Sequence, residues 1–327
     1  MLLLWFFLGV AWAYPQQRSL LSVHRSERLM GTRVDITVTA ETEEIGYINI
    51  EEALAEIRKV EQRISSWNPE SETSRINTQA GIRPVEVSQE LFNLLQRAVK
   101  ISELTQGAFD ITVGALDTLW RFDGSVSALP SKKQVDAVLP LVGYRQLVLD
   151  PEARTAFLPK RGMKINLGGI GKGYAADRAK DLMLNKQVPG GMINMGGDIT
   201  VWGSKSSGEK WLLGVADPLR VGQILSWIPL IESSVAMARP LQQYIEYDGV
   251  RYGRVLRPDT GEPVRGIRQV TVLARSAELS DALATALCVM GPDQGIRMVE
   301  QLGDTEAIVV DADGFLYWSS GLMLERQ

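Results

Sequence analysis

This sequence predicts an α+β fold, with largely antiparallel sheets packed against helices, and three observations carry that prediction. Short runs of alternating or β-branched residues follow one another across glycine-bearing turns, which favours antiparallel pairing. Helical patterns come in clusters rather than in strict alternation with the strands. No internal repeat, low-complexity tract or Pro/Gly/Ser-rich linker divides the chain, so residues 16–327 are expected to form one domain.

The elements follow in order. Arg33–Thr39 (RVDITVT) alternates polar and apolar residues and predicts a half-buried strand. Glu51–Ser66 places Leu54, Ile57, Val60 and Ile64 on one helical face. Ser88 caps a second helix with Leu91, Leu94, Ala98 and Ile101 facing inward, and Gly107 ends it. Pro130-Ser131 opens a short helix through Leu139. Strands are then expected at Gln146–Asp150, Thr155–Leu158 and Met163–Leu167, followed by a helix after Gly173 carrying Tyr174, Ala175, Ala179 and Leu182. Further strands are expected at Ile199–Trp202, Trp211–Ala216, Ile224–Ile228 and Gln243–Tyr247. A helix over Ser280–Met290 and another from Asp293 come next. Ala307–Val310 and Phe315–Trp318, joined by a turn at Asp311-Ala-Asp-Gly314, close the chain.

The composition excludes several classes. Net charge is −4, so a nucleic-acid binder is not expected, because such a protein needs a basic face. Cys288 is the single cysteine, which rules out an intramolecular disulfide. His24 is the single histidine, which rules out histidine-rich metal sites. Any metal should therefore be hard and held by oxygen.

The first thirteen residues, MLLLWFFLGVAWA, are all apolar, and no charged side chain precedes Arg18. Such a run is shorter than the roughly 20 apolar residues that span a bilayer. It fits the apolar core of a signal peptide over residues 1–15, with Ala11-Trp-Ala13 as the small-x-small cleavage site. The protein is accordingly expected to be exported and periplasmic, or held at the inner membrane by an uncleaved leader. Membrane association is expected only through this segment.

Chemistry is expected at four places. Residues 165–177 read INLGGIGKGYAAD, with four glycines at 168, 169, 171 and 173 around Lys172. Glycines let a ligand reach the main chain, and the following helix offers unpaired N–H groups beside the lysine, an arrangement suited to phosphate. A tight strand-to-helix turn without ligand is the alternative. Asn194-Met-Gly-Gly-Asp198 reads as a second glycine turn or as a pocket floor. Asp281 and Thr285 are four apart on one helical face; a helix-terminal acid with a bystander explains them, and so does half a cation shell. Gly107-Ala-Phe-Asp-Ile-Thr112 sets an acid among flat and β-branched residues, and Trp67 offers another flat surface or a core residue.

Met30-Gly-Thr32, Gly-Ala-Phe-Asp at 107–110, Gly-Gly-Ile-Gly-Lys-Gly-Tyr-Ala at 168–175, Asn-Met-Gly-Gly-Asp at 194–198 and Asp-Ala-Leu-Ala-Thr-Ala-Leu at 281–287 occur in this order. Together they make the chain resemble the ApbE family, the FAD:protein FMN transferases, from about Met30 to Gly321. The resemblance implies an enzyme that uses Mg²⁺ to split FAD, joins FMN to a Ser or Thr hydroxyl of a target protein and releases AMP. The implied partner is a flavin-acceptor protein of an envelope redox complex. The resemblance assigns Met30, Trp67, Ala108, Phe109 and Asp110 to the flavin nucleotide pocket. Asn166 stands where the family usually has Asp, and Lys172 is expected near the FAD phosphates. The main-chain carbonyl of Gly169, with Asp281 and Thr285, is implied to hold Mg²⁺.

One segment departs from the family. Where the family typically carries His-Ile-Ile-Asp-Pro-x-Thr-Gly, this chain reads Arg254-Val-Leu-Arg-Pro-Asp-Thr-Gly261, and the upstream Thr-Ser-Gly-Asp-Tyr reads Met237-Ala-Arg-Pro-Leu241. Arg254 cannot accept a proton near neutral pH but can bind phosphate through paired N–H groups. Transfer would then need Asp259 or another acid as base. The alternatives are a member that binds FAD or hydrolyses it to FMN and AMP without transferring, and a non-enzymatic flavin carrier in an envelope redox system.

Overall fold

The structure, a computed structural model, describes residues 20–122, 128–216 and 224–322. The expected leader over residues 1–15 lies outside them. The chain opens on a hairpin of β1 (Leu21–Leu29) and β2 (Thr32–Ala40), turned at Met30-Gly31 with both residues at positive φ. Then come α1 (Glu43–Ile64), α2 (Glu72–Thr78), β3 (Val85–Glu86) and α3 (Gln89–Leu104). A 3₁₀ stretch over Ile111–Thr118 leads to α4 (Lys132–Val138), β4 (Val148–Asp150) and β5 (Thr155–Phe157). After α5 (Gly171–Asn185) the chain runs through β6 (Gly190–Met195), β7 (Asp198–Gly203), β8 (Trp211–Ala216), β9 (Ile224–Leu230), β10 (Ser234–Ala238), β11 (Tyr244–Tyr247), β12 (Val250–Gly253) and β13 (Ile267–Ala274). It ends with α6 (Ala277–Val299), β14 (Glu306–Asp311) and β15 (Leu316–Trp318).

The main sheet has eight strands in the order β1-β2-β6-β7-β10-β13-β14-β15, each pair antiparallel, as the clustered strand pattern leads one to expect. Alternate side chains divide its two faces. Ile36, Ile193, Ala236, Val272 and Val309 face α1, α5 and α6 in the main core. Val201, Val235, Leu273 and Ile308 face the other way, where Trp211, Leu213 and Leu230 of the β8–β9 hairpin cover them. A separate apolar cluster joins Leu116 and Trp120 to Leu256, with Ile245 and Tyr252 of the β11–β12 hairpin packed on it.

Ser88 caps α3 and Ser131 caps α4, both as the sequence predicts, and the second forms a reciprocal capping box with Gln134. Asp311 accepts hydrogen bonds from the main-chain N–H groups of Asp313 and Phe315, closing the expected last turn. Several boundaries differ from expectation. The helix expected from Glu51 begins eight residues earlier, at Glu43 under the Thr42 cap. Its first turns present Ile45, Tyr47 and Ile48 to solvent, which breaks the apolar stripe that marked the rest. The helix expected from Ser280 begins at Ala277, capped by Ser276. The expected separation near Asp293 is present as a break at Gly291, φ 76°, ahead of Pro292.

The strand expected at Met163–Leu167 is not one; the segment has no regular secondary structure and joins no sheet. Its polar main-chain groups find partners elsewhere. The side chain of Asn77 accepts from Ile165 N at 2.8 Å and donates to Ile165 O at 2.9 Å, and Asn166 N donates to Ile111 O at 2.7 Å. Asn77 thus does for this segment what a neighbouring strand would do.

Asn77→Ala leaves the N–H and C=O of buried Ile165 without partners. It is expected to cost about 1–3 kcal/mol, read as a lower urea midpoint. An unchanged midpoint would show that this bracket does not hold the segment.

Candidate functional site

The glycines at 168–173 answer to different neighbours. A Cβ on Gly173 would stand 2.1 Å from Ala277 O, so this glycine admits the main chain of α6 against α5. A Cβ on Gly171 would meet Ile64 of α1 at 2.8 Å. Gly168 and Gly169 serve the surface: both line a cleft of about 320 Å³, within the roughly 300–1,000 Å³ of small-molecule sites. Close helix packing and an exposed main chain are therefore both present, divided within six residues.

The contact at Gly173 fixes the charges of the cleft. Asp281, on the first turns of α6, accepts from Gly173 N at 3.1 Å and from Lys172 Nζ at 3.3 Å. Lys172 also pairs with Asp198, whose other oxygen accepts from Met237 N at 3.0 Å. Burial pushes the carboxyl of Asp281 up to about 6, against the downward pull of the Lys172 ammonium, with the Asp198 charge adding to the rise. Burial alone would lower Lys172, but the two carboxylates outweigh it and hold its pKa raised. Asp177 locks the same pair of helices from the other side: its carboxylate accepts from the main-chain N–H groups of Ala277 and Glu278, both at 2.9 Å, and from the Ser276 hydroxyl at 2.8 Å.

Thr285 lies one turn beyond Asp281, and its hydroxyl stands 3.1 Å from where a Cβ of Gly169 would be. Gly169, Asp281 and Thr285 are thus brought to one wall of the cleft. They offer only hard oxygen donors. Among the described residues no group of three or more acidic, His or Cys side chains gathers to hold a metal alone. One carboxylate beside a hydroxyl and a carbonyl suits Mg²⁺, which keeps most of its shell for water and phosphate oxygens. A cation is already accommodated there, in the form of the Lys172 ammonium.

Met30, Ala108, Phe109, Asp110, Asn166 and Lys172 all line the cleft, as the sequence led one to expect. Met30 adopts φ 50° in the β1–β2 turn, its N–H bonded to Glu61 at 2.8 Å. Asp110 is buried and caps the 3₁₀ stretch, accepting from Thr112 N and Oγ1 and from Tyr144 N. Burial raises its pKa, with the Thr112 bonds opposing. Asn166 accepts from Gly168 N at 2.8 Å and donates to Asp117 at 2.7 Å. Arg254 also reaches the cleft, bonded to Gln243 at 2.8 Å.

Two expected residues are not brought there. Trp67 follows α1 on the surface, 78% exposed, and lines neither the cleft nor the core. Asp259 does not line the cleft, and both its oxygens accept from Arg257, at 3.1 and 2.8 Å. That bond holds its carboxyl below the usual range, the opposite of what a proton acceptor needs. Arg257 in turn donates to Val289 O at 2.9 Å, satisfying a carbonyl of the helix end before Gly291.

Asp198, Asp117, Met237 and Arg239 line the cleft without having been assigned to it from sequence. Asp198 stood in the noticed Asn194–Asp198 cluster, where Gly196 and Gly197 take φ 70° and 110°. Asp117 carried no local signal, since its place follows from the fold of residues 163–169 against the 3₁₀ stretch.

Comparison with known proteins fits this geometry. Residues 30–309 match a family model described as the ApbE family. The chain is 31% identical over 266 residues to an FAD:protein FMN transferase of Klebsiella pneumoniae, covering 81% of this chain and 82% of the relative. It is 28% identical over 316 residues to one of Treponema pallidum, covering 91% and 87%. It resembles the crystal structure of the ApbE protein from Thermotoga maritima, TM-score 0.85, 33% identity, covering 93% of this chain and 99% of the other. It also resembles the flavin transferase ApbE from Vibrio cholerae, TM-score 0.82, 27% identity, covering 92% and 98%.

Gly173→Ala forces a methyl group into the main chain of α6. It is expected to destabilise the protein by about 1–3 kcal/mol, measured by urea unfolding, and to part Asp281 from Gly173 N, visible in a crystal structure of the variant. Wild-type stability with the helices unmoved would refute the close approach.

Proposed function

This chain belongs to the ApbE family, and we propose that it transfers FMN from FAD to a Ser or Thr hydroxyl of a target protein, releasing AMP. The observation that carries this reading is the convergence of the bared Gly168–Gly169 main chain with Lys172, Asp281 and Thr285 on one cleft wall. Phosphoryl transfer asks for charge neutralisation and alignment more than for covalent help, and these residues supply both.

The pyrophosphate of FAD would lie against Gly168 and Gly169, where no Cβ intervenes, near the N-terminus of α5. The Gly169 carbonyl, Asp281 and Thr285 would hold Mg²⁺, which neutralises the charge that develops as AMP departs. Lys172 adds a fixed positive charge and is itself held by Asp198. Met30, Ala108 and Phe109 offer the apolar wall for the flavin end. Arg254 presents a guanidinium fork suited to phosphate oxygens.

The second reading, a protein that binds or hydrolyses FAD without transferring FMN, is favoured by one feature. Arg254 occupies the cleft where the family typically has histidine, and the single histidine, His24, sits on β1 paired with Asp35. We also read the apolar run at residues 1–13 as an export signal. That would place the protein in the periplasm or at the inner membrane, with its acceptor in an envelope redox complex. Among the described residues no helix is long and apolar enough to cross a membrane.

Incubation with FAD, Mg²⁺ and a flavin-acceptor protein is expected to give in-gel flavin fluorescence on the acceptor together with AMP. AMP without labelling would establish the hydrolytic reading, and retained FAD without AMP would leave a carrier. Asp281→Ala is expected to lower metal-dependent AMP release by at least about 100-fold. Undiminished release would remove Asp281 from the site.

A further inference from the structure

Among the described residues four carboxylates line the cleft, and their hydrogen bonds separate them. Asp110 uses both oxygens, on Thr112 and on Tyr144 N. Asp198 uses both, on Met237 N and Lys172. Asp281 uses both, on Gly173 N and Lys172. Asp117 differs: Oδ2 accepts from the Asn166 amide at 2.7 Å, and Oδ1 has no hydrogen-bond donor among the described residues. Among the described residues it is therefore the cleft carboxylate with a free oxygen to offer.

Its position suits the chemistry. Asn166 Oδ1 lies 3.0 Å, and Arg254 Nη2 3.8 Å, from where a Cβ of Gly168 would be. A Cβ on the next residue, Gly169, would stand 3.1 Å from Thr285 Oγ1. Consecutive Cα atoms are about 3.8 Å apart. The Asp117–Asn166–Arg254 group thus adjoins the wall against which the pyrophosphate would lie. No histidine lines the cleft, the Arg254 guanidinium offers donors and no acceptor, and Lys172 is held protonated by two carboxylates.

We propose that Asp117 is the general base of this enzyme, taking the proton of the acceptor hydroxyl in place of the histidine that Arg254 replaces. The assignment rests on the transferase reading above. In the step, the acceptor oxygen forms a bond to the FMN phosphorus and its proton passes to Asp117 Oδ1. The bridging P–O bond of FAD breaks, AMP leaves with that electron pair, and Asp117 returns the proton to solvent. Nothing is oxidised or reduced.

The groups that face Asp117 tune it for this role. Partial burial at the end of the 3₁₀ stretch raises its pKa, making it a better base than an exposed aspartate. The Asn166 bond and the charges of Arg254 and Lys164 oppose that rise and keep the carboxylate form available. The amide at 166, where the family usually has a carboxylate, donates to this one. The negative charge has moved across one hydrogen bond.

The test compares wild type, Asp117→Asn and the exchange variant D117N/N166D. Each is assayed with FAD, Mg²⁺ and a flavin-acceptor protein with a target Thr, alongside FAD affinity by flavin fluorescence. Wild-type transfer is expected to fall at low pH as Asp117 takes up its proton. D117N should lose about 10²–10⁴-fold in transfer and lose that acid limb, while binding FAD within about twofold of wild type. The exchange variant, with a carboxylate restored to the pair, should recover most of the loss. Transfer by D117N at the wild-type rate, or a loss matched by an equal loss of FAD affinity, overturns the assignment of Asp117 alone. A wild-type protein that labels no acceptor overturns the transferase reading and this assignment with it.

Discussion

The bond from Gly173 N–H to the carboxylate of Asp281 is the constraint on which the site depends. It exists because a glycine, having no Cβ, lets the α6 main chain rest on the first turn of α5. The same contact sets Asp281 beside Lys172, and one turn later Thr285 beside Gly169. Residues separated by more than a hundred positions in sequence thus form one wall, which Asp177 fastens from the far side by capping α6. A phosphate site needs donors and charges that do not rearrange when the ligand arrives, and two helices fixed to each other at both sides of their crossing provide that rigidity.

The electrostatics follow from the packing. Burying two carboxylates costs free energy unless a cation is shared between them, and Lys172 is that cation. One ammonium between two carboxylates leaves this part of the cleft wall with a single net negative charge, which a metal cation could balance. A divalent ion or a phosphate entering the cleft meets groups already oriented by one another.

The segment that departs from the family has taken on two separate tasks. Arg257 faces inward to the end of a helix, donating to Val289 O, and holds Asp259 in a two-bond clasp outside the cleft. Arg254 faces the cleft and is braced by Gln243. One arginine is therefore structural and the other is available to a ligand, although they stand three residues apart. The 3₁₀ stretch and the β11–β12 hairpin are packed together through Leu116, Trp120 and Tyr252, close to the segment that carries Arg254.

The sequence by itself determined the fold class, the antiparallel pairing, the helix caps at Ser88 and Ser131, and most of the cleft. Each of these is written in short-range chemistry: alternation of side chains, a hydroxyl before a helix, glycines beside a lysine. The five ordered motifs gave Met30, Phe109, Asp110, Lys172 and Asp281 because each sits in a recognisable local pattern. Only the tertiary structure decided that Met163–Leu167 joins no sheet, since its partners are an asparagine 88 positions away and the carbonyl of Ile111. Only it showed that Trp67 and Asp259 do not line the cleft and that Asp117 and Asp198 do. Whether a carboxylate is free or committed depends on which distant N–H groups reach it. That is a property of packing, and no spacing along the chain encodes it.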